Sequence, residues 1–141
     1  MTKQNTSIAT ILANLQTTSS GYDLIRYIGL PDMLGQEKDL ILYIMGKNLA
    51  RKAQCGSKEE IQEFFVDAGW GDLHLLQEKR RGFIYELSGE IIEARQQTLG
   101  QIDYVLEAGF LAEAMVQIMD ESYECIVEEK KQQILLNVLH N

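Results

Sequence analysis

The strongest hydrophobic pattern in the chain lies between Asp103 and Asp120. This segment contains no proline and consists mostly of good helix formers, which predicts one long helix. On a helical projection the polar side chains share an arc roughly 140° wide. They are Asp103, Glu107, Glu113, Gln117 and Asp120. The remaining circumference is almost entirely apolar, so we expect this helix to be buried on more than one side.

Two apolar residues stand inside that polar arc. Leu106 and Phe110 are four residues apart and are therefore neighbours on the helix surface. We expect them to form the interface of a homodimer, because a second copy would bury this apolar surface at roughly 25 cal/mol per Å². The main functional hypothesis is accordingly a non-enzymatic binding or scaffold domain that forms a homodimer.

A second strong helix is predicted over residues 39–52. Its first half, residues 40–45, is apolar all round and is therefore expected to be enclosed by the rest of the protein. Gly46 and Ala50 are four residues apart and form a flat spot on this helix. Because small residues allow close approach, we expect the flat spot to face the long helix near Gly109.

Shorter helices are predicted from the remaining periodic and capping signals. Apolar residues at helical spacing indicate one helix over residues 8–15 and another over residues 22–28, whereas the polar residues 1–7 are expected to be flexible. Ser57 and Glu60 form a capping box, which predicts the start of a third helix.

Alternation of apolar and polar residues predicts two β-hairpins, one over residues 72–87 and the other over residues 123–138. The segment 90–101 is ambiguous, since it could continue as a strand through residues 91–92 and then become a loop. Together the elements predict a single α+β domain over residues 1–141. We expect its helices to pack on one face of an antiparallel sheet made of the two hairpins.

The charge, the hydropathy and the cysteine content narrow the class of protein. The formal net charge of −8 argues against nucleic-acid binding, which requires a basic surface. No uninterrupted apolar run reaches about 18 residues, so no transmembrane segment is expected. Two cysteines without a CxxC motif predict no disulfide framework, which fits a protein of the reducing cytoplasm.

Candidate catalytic and metal-binding residues are few. The two histidines, His74 and His140, cannot alone supply a familiar three-ligand zinc site. Cys125 alternates with apolar residues and is predicted to be buried, whereas Cys55 follows a basic helix end and could be an exposed or modified thiol. The acidic residues, among them Glu107 and Glu113, are interpreted as solvated charges. We therefore expect no catalytic residue, no metal and no cofactor, and a carboxylate-dependent enzyme acting on a small molecule is only the second alternative.

Trp70, which lies between two glycines, is the most unusual local feature. It is interpreted either as a packed corner between a helix and a strand or as the lip of a pocket. In the second interpretation, the pocket is shaped by Gly46, Trp70, Gly109 and Phe110. Such a pocket would suit an apolar small molecule, so a carrier or sensor of an acyl chain or isoprenoid is the first alternative function.

Four motifs in one order support a resemblance to a known family. They are LPDMLGQ at 30–36, GKNLAR at 46–51, FVDAGWG at 65–71 and LEAGFLAE at 106–113. Over about residues 20–139 the sequence resembles the YslB-like family of uncharacterised proteins from low-GC Gram-positive bacteria. That family is similar in architecture to 4-vinyl reductase-type domains and to subunits of the TRAPP transport complex. The resemblance therefore implies helices packed on an antiparallel sheet.

The resemblance also bears on ligands. The 4-vinyl reductase-type domains commonly carry cysteines in the last hairpin, consistent with metal binding, whereas this hairpin has only Cys125. Haem-nitric-oxide sensors of related fold use an axial histidine, and neither histidine here lies on a predicted helix. Some transport-complex subunits hold a fatty-acyl chain attached to a cysteine, which no motif matches to Cys55. The resemblance thus implies the fold, and a lipid tunnel only by analogy of fold.

Overall fold

The computed structural model describes residues 20–100 and 102–141. The helix predicted over residues 8–15 and the flexible segment predicted over residues 1–7 lie outside the described residues. The helices are α1 (Ser20–Leu24), α2 (Leu30–Leu34), α3 (Lys38–Ala53), α4 (Lys58–Asp67), α5 (Glu90–Leu99) and α6 (Val105–Met119). A π-helical turn, Ile25–Gly29, follows α1, and a 3₁₀ turn, Gly35–Glu37, follows α2. The strands are β1 (Asp72–Lys79), β2 (Gly82–Ser88), β3 (Tyr123–Lys130) and β4 (Gln133–His140).

The four strands form one antiparallel sheet in the order β1-β2-β4-β3. Both predicted hairpins are present, and they join where β2 pairs with β4. α6 packs on the sheet, mainly against β3, while α3 packs on α6 and α4 packs against β1. The predicted α+β fold with helices packed on an antiparallel sheet is therefore confirmed. Its core lies between the sheet and α6, where Tyr85, Leu136 and Met115 are at most 1% exposed.

The segment that follows β2 is helical. Residues 90–99 form α5, which resolves the ambiguity of this segment in favour of a helix over a strand followed by a loop. Gly89 adopts a φ of +123°, a conformation that other residues rarely adopt, and it separates the strand from the helix. Ile92 and Arg95 are three residues apart and share the buried side of α5. The apolar run at the start of this helix is so short that hydrophobic periodicity does not distinguish a strand from a helix.

The predicted capping box fixes the start of α4. Ser57 Oγ accepts a hydrogen bond from the Glu60 amide at 3.2 Å, and Glu60 Oε2 accepts one from the Gly56 amide at 2.6 Å. Side chains thus satisfy the Glu60 amide in the first turn of the helix and the Gly56 amide just before the N-cap. With its start fixed in this way, α4 directs Phe64 and Phe65 into the core.

Candidate interaction surface

The helices α3 and α6 cross with their backbones in direct contact. A Cβ atom added at Gly46 would lie 2.7 Å from the Phe110 amide nitrogen, and one added at Gly109 would lie 2.8 Å from the Tyr43 carbonyl carbon. Only glycine permits so close an approach at these two positions. The prediction that the flat spot of α3 faces the long helix near Gly109 is confirmed.

The four residues predicted to shape a pocket lie in a filled core. The backbone of the opposing helix occupies the space beside Gly46 and Gly109. Trp70 and Phe110 are 4% and 0% exposed, and their ring centroids lie 5.4 Å apart in an edge-to-face arrangement. The rings that complete this aromatic cluster are Phe64 and Phe65. The pocket prediction is thereby corrected, and Trp70 forms the packed corner between α4 and β1.

Leu106 and Phe110, the residues predicted for a homodimer interface, are also interior. They are 5% and 0% exposed, so a second copy of the chain cannot reach them. The reason for this correction is that α3 lies directly over this part of α6, where Gly46 approaches the Leu106 carbonyl group and the Phe110 amide.

One exposed apolar surface of the described chain lies on α3, and other large apolar side chains are exposed on residues 24–33. α6 covers only one side of α3, that of Leu42, Gly46 and Ala50, so the expectation that its first half is enclosed is wrong. We call the opposite, uncovered side the outer face of α3. It consists of Leu40, Ile41, Ile44 and Met45, with exposed fractions of 59, 37, 47 and 41%. This exposed apolar row is the candidate interaction surface of the described chain.

Contacts with the edge strand β3 hold α3 in place. Tyr43 Oη donates a hydrogen bond to Glu124 Oε1 at 2.6 Å and accepts one from the Cys125 amide at 2.9 Å. Lys47 Nζ lies 2.8 Å from Glu124 Oε2. Burial and the hydrogen bond to Glu124 raise the pKa of the Tyr43 hydroxyl above its ordinary value. The outer face of α3 is thus presented by a helix anchored on both α6 and β3.

A buried ion-pair network joins the π-helical turn to α6 and α3. Arg26 is 1% exposed, and its Nη2 and Nη1 lie 2.7 Å and 3.0 Å from the two Glu107 carboxylate oxygens. Arg26 also donates to Asp103 Oδ1 at 3.2 Å and to Tyr22 Oη at 2.7 Å. Asp103 in turn accepts a hydrogen bond from Lys38 at 3.2 Å. Burial alone would lower the pKa of Arg26, but the charge and hydrogen bonds of Glu107 outweigh it and raise the pKa.

Sequence reasoning missed this network. Its interpretation of Glu107 as a solvated charge is wrong, because the residue is 1% exposed. A signal was present in the sequence, since Arg26 lies within the largely apolar stretch 24–30 and Glu107 lies in the first turn of a helix that is mostly apolar. A lone charge in an apolar stretch requires a buried partner, and these two residues have opposite charges.

A second buried arginine, Arg95 of α5, attaches α1 to the corner before β1. Its side chain is 4% exposed, its Nε donates to Asp23 Oδ1 at 2.9 Å, and its Nη1 donates to the Gly69 carbonyl oxygen at 2.8 Å. The ring of Tyr27 lies near both guanidinium groups, with its centroid 4.9 Å from Arg26 Cζ and 6.0 Å from Arg95 Cζ. Charge pairing and cation–π contacts therefore hold residues 20–29 on the core.

A polar cavity of about 520 Å³ lies beside this network and includes Lys38 and Asp103 in its lining. Burial alone would raise the pKa of the Asp103 carboxyl group, but the charges of Arg26 and Lys38 outweigh it and lower the pKa. A carboxylate that acts as a general base at neutral pH needs the opposite shift. In the described part of the chain, no group of three His, Cys, Asp or Glu side chains could hold a metal ion.

Both cysteines are buried. Cys125 is 6% exposed, as predicted, whereas Cys55 is 8% exposed, which corrects the interpretation of an exposed thiol. Burial and the negative charge of Glu60 raise the pKa of Cys55 to about 11. The reactive thiolate is therefore scarce near neutral pH.

We accordingly expect the folded protein to react slowly with iodoacetamide and the urea-unfolded protein to react at both thiols. Mass spectrometry of timed samples measures this difference, and the unfolded sample is the control for reagent activity. Complete modification of Cys55 in the folded protein, at the rate of the unfolded chain, would contradict the buried placement.

The architecture defines the class of protein. The structure is similar to the crystal structure of a vinyl-4-reductase family protein from Methanocaldococcus jannaschii, with a TM-score of 0.67. The likeness covers 93% of this chain and 87% of that protein at 19% sequence identity, which shows the fold alone. Among residues 20–100 and 102–141, no helix has the length and apolar character needed to cross a membrane. This is therefore an α+β domain with the fold of the vinyl-4-reductase family.

Sequence comparisons then identify the family. The family described as "Protein of unknown function (DUF2507)" matches residues 19–139. The uncharacterised protein YslB of Bacillus subtilis (strain 168) is 40% identical over 131 residues, which cover 90% of this chain and 87% of that protein. The chain belongs to the DUF2507 family, and the resemblance recognised from its four motifs is confirmed.

Proposed function

We propose that this protein is a non-enzymatic binding or scaffold domain that forms a homodimer through the outer face of α3. One observation carries the proposal, namely the row of four large apolar side chains on α3 that the described chain leaves 37–59% exposed. Burial of such a row contributes roughly 25 cal/mol per Å² to association. In a two-fold symmetric dimer the same surface of each subunit forms the interface, so the apolar row of each copy covers that of the other.

The alternative functions have less support. The pocket predicted for an acyl chain or isoprenoid lies beside Gly46 and Gly109, where helix backbone fills the space. An enzyme that depends on a carboxylate would need a raised carboxyl pKa at a cavity, whereas the pKa of Asp103 is lowered. The anchored, uncovered helix face favours a binding role over either alternative.

We expect Ile44→Lys to weaken the dimer at least about tenfold, because it places a charge within the apolar row that dimerisation must remove from water. Sedimentation velocity over a micromolar concentration series measures the dissociation constant. The matched control is Val66→Lys on α4, since Val66 is also an exposed apolar side chain, 56% exposed, on a different helix.

Thermal unfolding of both variants shows whether each remains folded. A wild-type protein that sediments as a monomer at high micromolar concentration would overturn the proposal. So would a dimer that Ile44→Lys and Val66→Lys weaken equally, because the interface would then lie elsewhere.

A further inference from the structure

Charges flank the outer face of α3 with opposite signs at its two ends. Glu37 immediately precedes α3, and Lys52 lies in its last turn. At about 100° per residue, both project on the same side of the helix as Ile41 and Ile44. Both charged residues are exposed, and within the described part of the chain neither takes part in a salt bridge. The surface thus runs from acidic through apolar to basic.

We infer that the occupant of this surface is a second copy of α3 in antiparallel orientation, with Glu37 of one copy beside Lys52 of the other at each end. The inference rests on the proposed function and adds the orientation, the register and the charge pairs of the dimer. A surface with one sign of charge at each end complements itself when it is turned end for end about a two-fold axis.

The apolar row sets the register. We place the two-fold axis of the antiparallel pair between Leu42 and Tyr43. Leu40 of one copy then lies opposite Met45 of the other, and Ile41 lies opposite Ile44. Each apolar side chain of one row therefore faces an apolar side chain of the second row.

In that register Glu37 of one copy lies opposite Asn48 of the other, and Lys52 lies one turn further along. Helical side chains lean towards the N-terminus of their own helix, so the Lys52 amine lies over Asn48 and within reach of Glu37 of the second copy. A parallel pair in register would instead place Glu37 against Glu37 and Lys52 against Lys52, and both contacts are repulsive.

Charge reversal tests the pairs. Glu37→Lys and Lys52→Glu each replace attraction by repulsion at both ends of the dimer, and each is expected to raise the dissociation constant about tenfold. The combined variant Glu37→Lys/Lys52→Glu restores attraction and is expected to return within about threefold of the wild type. Salt should shrink the single-variant effects, because these charges are exposed. The matched control is Glu63→Lys/Lys131→Glu, at exposed positions away from α3.

Cysteine cross-linking tests the orientation. The antiparallel register places Ile41 of one copy beside Ile44 of the other, so a mixture of Ile41→Cys and Ile44→Cys proteins should form a disulfide-linked dimer on mild oxidation. Each variant alone should cross-link poorly. The native thiols contribute little background, because Cys55 and Cys125 are 8% and 6% exposed.

The outcomes separate this inference from the proposed function. Rescue by the combined charge variant, together with cross-linking only in the mixture, supports the antiparallel register. If Ile44→Lys dissociates the dimer but charge reversal has no effect on the dissociation constant, the register is overturned and the proposed function stands. The same holds if each cysteine variant forms a disulfide-linked dimer with itself. A monomeric wild-type protein overturns both.

Discussion

Replacing Gly46 with alanine is expected to lower the free energy of unfolding by about 3 kcal/mol. The added methyl group would lie 2.7 Å from the Phe110 amide nitrogen and still closer to the Leu106 carbonyl oxygen. Both atoms belong to the backbone of α6, so relief requires the two helices to move apart and cannot come from the rotation of a side chain. The better helix propensity of alanine, about 1 kcal/mol, offsets only part of this cost. Urea unfolding at a fixed protein concentration measures the difference.

Gly29→Ala is the matched control for this prediction. Gly29 has helical backbone angles, with φ −67° and ψ −51°, and an added Cβ atom would meet only the Leu24 carbonyl oxygen at an ordinary 3.6 Å. We expect this variant to be as stable as the wild type or slightly more stable, because alanine restricts the unfolded chain. If Gly46→Ala unfolds at the same urea concentration as Gly29→Ala, then α3 and α6 do not cross in backbone contact.

Short-range signals account for the parts of the fold that the sequence predicted well. The capping box at Ser57 and Glu60 depends on residues three apart, and the hairpins depend on alternation within single strands. The contact between Gly46 and Gly109 was also predictable, because a glycine inside a strong helix costs stability unless a neighbour approaches closely. In each case the physical requirement is visible within a few residues.

The choice of which apolar face is covered was not predictable in this way. α3 and α6 both have apolar side chains around most of their circumference, and periodicity does not indicate which side receives a neighbour. The sequence therefore favoured Leu106 and Phe110 as the exposed spot, whereas α3 covers them and exposes its own Leu40 and Ile44. Arg26 and Glu107 are 81 residues apart, so the local patterns indicate that each charge needs a buried partner but not which residue that partner is.

Removal of the buried arginine is expected to have the largest effect of any single substitution proposed for this protein. We expect Arg26→Met to lower the free energy of unfolding by about 3–5 kcal/mol, because it leaves Glu107 with an uncompensated charge in the interior. Glu107 is 1% exposed and accepts both of its hydrogen bonds from Arg26, so no water replaces the lost partner without local opening. The urea midpoint, at fixed protein concentration, measures the loss.

Two further variants separate the cost of an unpaired charge from the value of the pair itself. Arg26→Met/Glu107→Met removes both charges, and we expect it to recover most of the stability lost in Arg26→Met, because an apolar pair of similar volume can replace a buried ion pair at little cost. Recovery should be incomplete, since Arg26 also donates to Asp103. Arg51→Met is the surface control, because its partner contact with Glu113 is 3.4 Å long and Arg51 is 56% exposed, so its loss should cost at most about 1 kcal/mol. A similarly small loss in Arg26→Met would mean that water reaches Glu107, and the network would then not be what holds the π-helical turn on α6.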